Sequence, residues 1–391
     1  MTKLIWHSNA PWAPTGYGQQ TAIAASCLKE QYDLAISTFY GLEGAPITWE
    51  GIPVLPGLGG QFGDEGLVQH ATRFFGGDAK NGLVITLMDV WVLNPALAQE
   101  VRMACWVPVD HAPAPPRVGK FLAESGAVPI AMSRFGERML SELDPLYVPH
   151  AIDTEVYKRR NQKAIREKGG FPENAFLVGM VAANKGRPSR KSFSEAFQAF
   201  ATLLDRHDNA YLYLHTNISH NWANGENLTA LLESVGIPQD RVRIADQYSV
   251  MYSPYSPKDM AQLYSAMDVL LNPSKGEGFG IPVIEAQACG TPVIVTDFSA
   301  MPELCGAGWA VKHTPYWSGL DSWEAIPDVD DIVSALEECY ALKPAQREKM
   351  AVTARRHALQ YDVRRVYKEH WAPTMREIER RLMPSVEKVA A

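Results

Sequence analysis

Short apolar runs alternate with amphipathic stretches along the whole chain. Residues 3–8 form the first run and predict a strand. A Gly- and Pro-rich loop over 9–18 follows, and then a helical pattern over about 19–30. Residues 34–38, 83–89, 103–108 and 128–132 read as further buried strands. Residues 41–66 are mostly loop by their Gly and Pro content, with a short strand at 52–55. Ser133 is placed to cap a helix over 134–142. The charged stretch 158–168 reads as a linker, after which the pattern restarts. Strands are expected at 176–181, 211–215, 241–244, 269–271 and 292–295, and helices at 192–206, 226–235, 258–266 and 282–289. From about 329 the chain is helical and charged. Strands alternating with helices predict parallel, doubly wound sheets, so the class is α/β. Two rounds of the pattern in 391 residues predict two domains.

Composition narrows this picture. Five scattered cysteines without a Cys-x-x-Cys pair indicate neither a disulfide framework nor a zinc site. A reducing, cytoplasmic setting is expected. Trp6-His-Ser-Asn9 interrupts the apolar start too early for a signal peptide, and no run of about eighteen apolar residues predicts a membrane span. Net charge is −7, and the first 150 residues hold 9 Lys+Arg against 14 Asp+Glu. That balance argues against a basic surface for anionic membranes and against nucleic acid as a partner.

Chemistry concentrates at expected strand ends. After the strand at 269–271 comes Ser274-Lys-Gly-Glu277, then Gly278-Phe279-Gly280, then Pro282 and Glu285. Pro282 suits a first helical turn, which leaves Glu277 on the loop and Glu285 about one turn into the helix. Glycines there expose backbone N–H groups to anionic or hydroxyl-rich ligands. Upstream, Lys185-Gly-Arg-Pro-Ser-Arg190-Lys191 puts four cations into seven residues, directly before a predicted helix whose N-terminus adds positive character. Gly16-Tyr17-Gly18 lies between the first strand and first helix. Asp110-His111 and Asp89 follow strands, and so does His215-Thr216-Asn217. Loop aromatics such as Trp12, Trp49, Tyr248, Tyr252 and Tyr255 suit stacking on sugars or bases, although most are expected to pack their own loops.

Glu277-Gly-Phe-Gly, Pro282 and Glu285-Ala-Gln-Ala-Cys-Gly-Thr-Pro-Val-Ile294 resemble the Glu-x7-Glu signature of retaining glycosyltransferases of family 4. The glycine loop, Asp110-His111, Pro149-His-Ala-Ile-Asp153 and the basic loop follow in that family's order, with Ala151 where a Gly is usual. The resemblance implies the GT-B fold: two Rossmann-like domains, 1–160 and 161–362, facing across a cleft, with 363–391 returning to the first. It implies a nucleotide-sugar donor (UDP or GDP) and a hydroxyl acceptor that could be protein, glycan, lipid or small molecule. Glu277 would contact the donor sugar and Glu285 the ribose. Arg190 and Lys191, with Lys185 as second choice, would grip the diphosphate. Gly16, Tyr17, Gly18, Gly278, Phe279 and Gly280 would line the donor. Asp110 and His111 would lie near the sugar hydroxyls, and Asp89 would meet the acceptor. The nucleobase would sit at 246–257. A front-face, metal-independent mechanism without cofactor is expected. An epimerase, a phosphorylase or a non-catalytic binding module of the same fold are the rival readings.

Overall fold

The computed structural model describes residues 1–219, 223–252 and 255–383. The chain forms two compact units. One contains Met1–Ala151, Gly319–Ser322 and the segment from Val363; the other contains Ile152–Ser318 and Trp323–Asp362.

The first unit is built on β1 (Lys3–Asn9), β2 (Asp33–Tyr40), β3 (Ile47–Trp49), β4 (Ile52–Leu55), β5 (Leu83–Leu87), β6 (Met103–Val107), β7 (Val128–Ala131) and β8 (Leu146–Tyr147). Their order is β3-β4-β2-β1-β5-β6-β7-β8, with only β3 antiparallel to its neighbour. The strand order turns around between β1 and β5, the kind of switch point where open α/β sheets take ligands. Runs such as Leu4-Ile-Trp6 and Leu83-Val-Ile85 are fully buried, as strands covered on both faces require. Trp6, Trp106 and Trp371 pack edge to face at centroid distances of 5.0 to 6.0 Å. Two of these indoles find acceptors: Trp6 Nε1 donates to Thr21 Oγ1 at 3.0 Å and Trp106 Nε1 to Val148 O at 2.8 Å.

The second unit has β9 (Phe176–Val181), β10 (Ala210–His215), β11 (Val242–Ile244), β12 (Val269–Asn272), β13 (Val293–Thr296) and β14 (Gly308–Val311) in the parallel order β11-β10-β9-β12-β13-β14. Its switch point lies between β9 and β12. Helix Phe193–Leu204 buries Phe193, Phe197 and Phe200 at four- and three-residue spacing, one apolar stripe against the sheet. β15 (His313–Trp317) and β16 (Trp323–Pro327) form a separate antiparallel hairpin. No helix among the described residues is long and apolar enough to cross a membrane.

The structure corrects the sequence reading in four places. The first helix is Gly16–Leu28, so both glycines of Gly16-Tyr17-Gly18 are helical and not loop; Thr15 caps it, accepting from Gly18 N at 3.0 Å. The stretch read as a linker contains helix Gln162–Lys168, anchored by Arg166 Nη2 on Asp268 Oδ2 at 2.6 Å. Helices Asp64–Phe74 and Pro116–Ser125 were not expected. Nor were β3, β8, β14 or the hairpin, whose prolines Pro315 and Pro327 sit inside paired strands.

Candidate functional site

The two loops that leave the switch point of the second unit carry its charge. After β9, residues 182–192 lead into helix Phe193–Leu204. Asn184 holds this loop from below: its Nδ2 donates to Asn217 O at 3.0 Å and to Glu226 O at 2.7 Å, and its Oδ1 accepts from Glu226 N at 2.9 Å. Ser189 N donates to Glu226 Oε1 at 2.9 Å. Ser192 then takes φ 51°, a left-handed conformation seldom adopted by a side chain-bearing residue, immediately before the helix. Lys185 stays exposed, whereas Arg190 and Lys191 are half-buried.

After β12, the loop is buried from Pro273 through Phe279. Lys275 N donates to Arg190 O at 2.8 Å and ties the two loops together. Glu277 N donates to Ser299 Oγ at 2.9 Å. The Glu277 carboxylate is clamped at both oxygens: Arg190 Nη1 reaches Oε2 at 2.9 Å and Lys191 Nζ pairs with Oε1. Arg190 Nη1 also donates to Gly276 O. Burial alone would raise the Glu277 pKa, but the charges of Arg190 and Lys191 and the Lys191 hydrogen bond override it and hold it at about 2. The cluster therefore carries two cations and one anion, a net +1 beside a helix N-terminus.

The Gly278-Phe279-Gly280 turn differs from the open glycine loop expected of it. Phe279 is buried and meets Tyr361 edge to face at 5.6 Å. Gly280 has φ 115°, which only glycine adopts without strain, and starts helix Ile281–Ala288. Glu285 is one turn in, as expected, but buried, with Oε2 accepting from Tyr264 OH at 2.8 Å. Burial and the Glu285 charge hold that phenol well above its ordinary range, so it stays a donor. The two glutamates thus have different partners, cations for Glu277 and a phenol for Glu285.

Ser299 escaped the sequence reading. It has φ 57° and follows β13, where nothing in its neighbours marks it as special. Its left-handed backbone places the hydroxyl that holds the Glu277 N–H. His215 is mostly buried and pushed down to about 4 by that burial, and its ring meets Tyr255 at 4.7 Å. In the segment 246–257, Ser253 and Pro254 lie outside the described residues. Asp328-Val-Asp330 is an Asp-x-Asp tripeptide, but Asp328 Oδ1 serves as a helix cap, accepting from Asp331 N at 2.8 Å.

The remaining candidates belong to the first unit. Gly18 packs so closely on the preceding loop that a Cβ would lie 2.3 Å from Ala13 O. Beyond β6, His111 is buried and its Nδ1 donates to Asp110 Oδ1 at 2.6 Å, which fixes the ring's orientation and directs the proton to Nδ1. Asp89 is exposed just past β5, at the start of the short helix Val90–Val92.

Both sheets and the loops at their switch points define the GT-B fold, and solved structures agree. A glycosyltransferase from Rickettsia africae ESF-5 superposes with TM-score 0.70 at 16% identity, covering 98% of this chain and 100% of that one. Anabaena HepE in complex with UDP-glucose gives TM-score 0.70 at 17% identity, covering 96% and 100%. In sequence, residues 177–340 match the family described as Glycosyl transferases group 1. The D-inositol 3-phosphate glycosyltransferase of Corynebacterium jeikeium (strain K411) is 32% identical over 168 residues, 41% of this chain and 37% of that protein. The chain spans less than half the length of the curated relatives it matches.

Proposed function

We propose that the protein is a retaining glycosyltransferase of the family 4 type, moving a sugar from a nucleotide-sugar donor to a hydroxyl acceptor without a metal. The observation that carries this reading is the Arg190–Lys191–Glu277 cluster at the switch point of the second unit. A diphosphate placed on Arg190 and Lys191 gains negative charge as the glycosidic bond breaks, so these cations stabilise the transition state more than the bound donor. Glu277, ionised at every working pH, presents acceptors suited to sugar hydroxyls, and Glu285 is assigned to the ribose. HepE is described in complex with UDP-glucose, which favours a UDP-sugar as the first donor to try. In the same reading Asp110 orients His111 toward a sugar hydroxyl, and Asp89 belongs to the acceptor side.

Thermal-shift titration with UDP, GDP, ADP and their sugars tests donor binding. A nucleotide at about a hundred times its Kd stabilises the folded state by about 2.7 kcal/mol. One nucleotide should raise Tm in the wild type and fail to do so in Lys191→Ala. No shift with any of them would contradict the reading.

A further inference from the structure

The β15–β16 hairpin lies outside the Arg190–Lys191–Glu277 cluster, and its chemistry is distinctive. Trp317 and Trp323 are directly opposed across the two strands, so both side chains leave the same face. They are 52% and 43% exposed. Their rings meet edge to face at 5.0 Å, an arrangement that leaves ring faces uncovered which a parallel stack would hide. A cross-strand aromatic pair helps hold a two-stranded hairpin together. Leaving half of two indoles in water is nevertheless unfavourable for a surface that has no other use.

The hairpin is fastened to the Glu277 loop and to the loop after β13 that carries Ser299. On β16, Ala325 N donates to Lys275 O at 2.9 Å, two residues before Glu277. On β15, the His313 ring packs on Phe298 at 5.4 Å, next to Ser299, whose hydroxyl holds the Glu277 backbone. Lys275 Nζ lies 5.5 Å from the centre of the Tyr316 ring. Through these contacts the two strands adjoin the Glu277 loop; both tryptophans belong to the second unit, while the turn Gly319–Ser322 between them groups with the first.

Charge selects the occupant. Across the ten residues of the two strands the only Asp, Glu, Lys or Arg is Glu324. On the face that carries both indoles the strands contribute no Asp, Glu, Lys or Arg, since Tyr316, with Lys275 beside it, and Glu324 alternate to the other face, so this face is ill suited to a phospholipid headgroup, a nucleic acid or a polyanionic glycan. Indole faces attract the weakly positive C–H groups of a pyranose ring.

We propose that Trp317 and Trp323 form a stacking platform for a neutral saccharide chain, the extended part of an acceptor whose reacting end lies at the Glu277 loop. The acceptor assignment rests on the transferase reading; the binding of a neutral saccharide does not. Native affinity electrophoresis through gels containing dextran, galactomannan, xyloglucan or mixed-linkage β-glucan tests it with the full chain. At least one gel should retard the wild type. Trp317→Ala/Trp323→Ala should lose the retardation, with affinity down at least about tenfold, while Trp317→Tyr/Trp323→Tyr keeps most of it. The Ala variant should keep the wild-type response to nucleotide in thermal shift, so loss of saccharide binding is separable from failure of the donor site. If saccharide binding is lost as predicted but no nucleotide stabilises either protein, the platform stands and the transferase reading falls. The proposal is overturned if no neutral polysaccharide retards the wild type, if the Ala variant is retarded equally, or if the indoles instead govern binding to heparin or to phosphatidylglycerol vesicles.

Discussion

Among single residues, the proposed function rests most heavily on Glu277. Its carboxylate is paired with the two cations that a diphosphate needs. A donor bound there as proposed would share or displace that pairing. Glu277→Gln removes the competing charge, so it should leave nucleoside diphosphate affinity unchanged or raise it, measured by calorimetry, while turnover falls by about 10²–10³-fold. A parallel loss of both would assign Glu277 to binding alone. Because its folded pKa of about 2 lies below the ordinary 4.5, its ionised form contributes stability above pH 4.5, and that contribution is lost as pH falls through about 2. Glu277 cannot then produce an activity limb near neutrality. His7 and His150 act in the same direction, but in a higher pH range. Burial lowers them to about 4 and about 3, so the unfolded chain takes up protons from pH 6.5 downward while the folded chain does not. The urea midpoint of the first unit should fall between pH 7 and pH 5; a flat profile would contradict neutral burial of these rings.

At the scale of elements, the helix Phe193–Leu204 joins core to site. Its Phe stripe is fully buried while its first turn follows Lys191 directly. Phe197→Ala should cost about 3–5 kcal/mol by chemical denaturation, and the surviving folded fraction should still bind nucleotide. Strand positions were legible in the sequence because a doubly covered strand is a short, unbroken apolar run, as at Val269-Leu-Leu271. The start of the first helix was not, since Gly16 and Gly18 are poor helix formers and only the close approach of Ala13 O explains the second. The hairpin was hidden for a related reason: Pro315 and Pro327 read as breakers, yet a two-stranded ribbon tolerates proline at positions whose N–H is not required. Of the site, Glu277, Arg190 and Lys191 were visible through residue type and spacing. Ser299 was invisible, because its role comes from a left-handed turn and a tertiary hydrogen bond that no local pattern encodes.

At the scale of the whole molecule, topology explains why residues 86 to 87 positions apart meet. β9 and β12 are neighbours at the switch point, so the loops that follow them emerge side by side. The acidic charge balance stays with the chain as a whole, while the cations that matter are local and half-buried. If this cluster transfers sugar from a nucleotide as proposed, donor turnover depends on it. Release of nucleoside diphosphate from UDP-, GDP- and ADP-sugars, with neutral oligosaccharides as acceptors, tests it most directly. Diphosphate release matched by glycosylated product is expected in the wild type, and neither in a folded Glu277→Ala variant. Equal release from Glu277→Ala, or none from the wild type with any donor, would contradict the proposal.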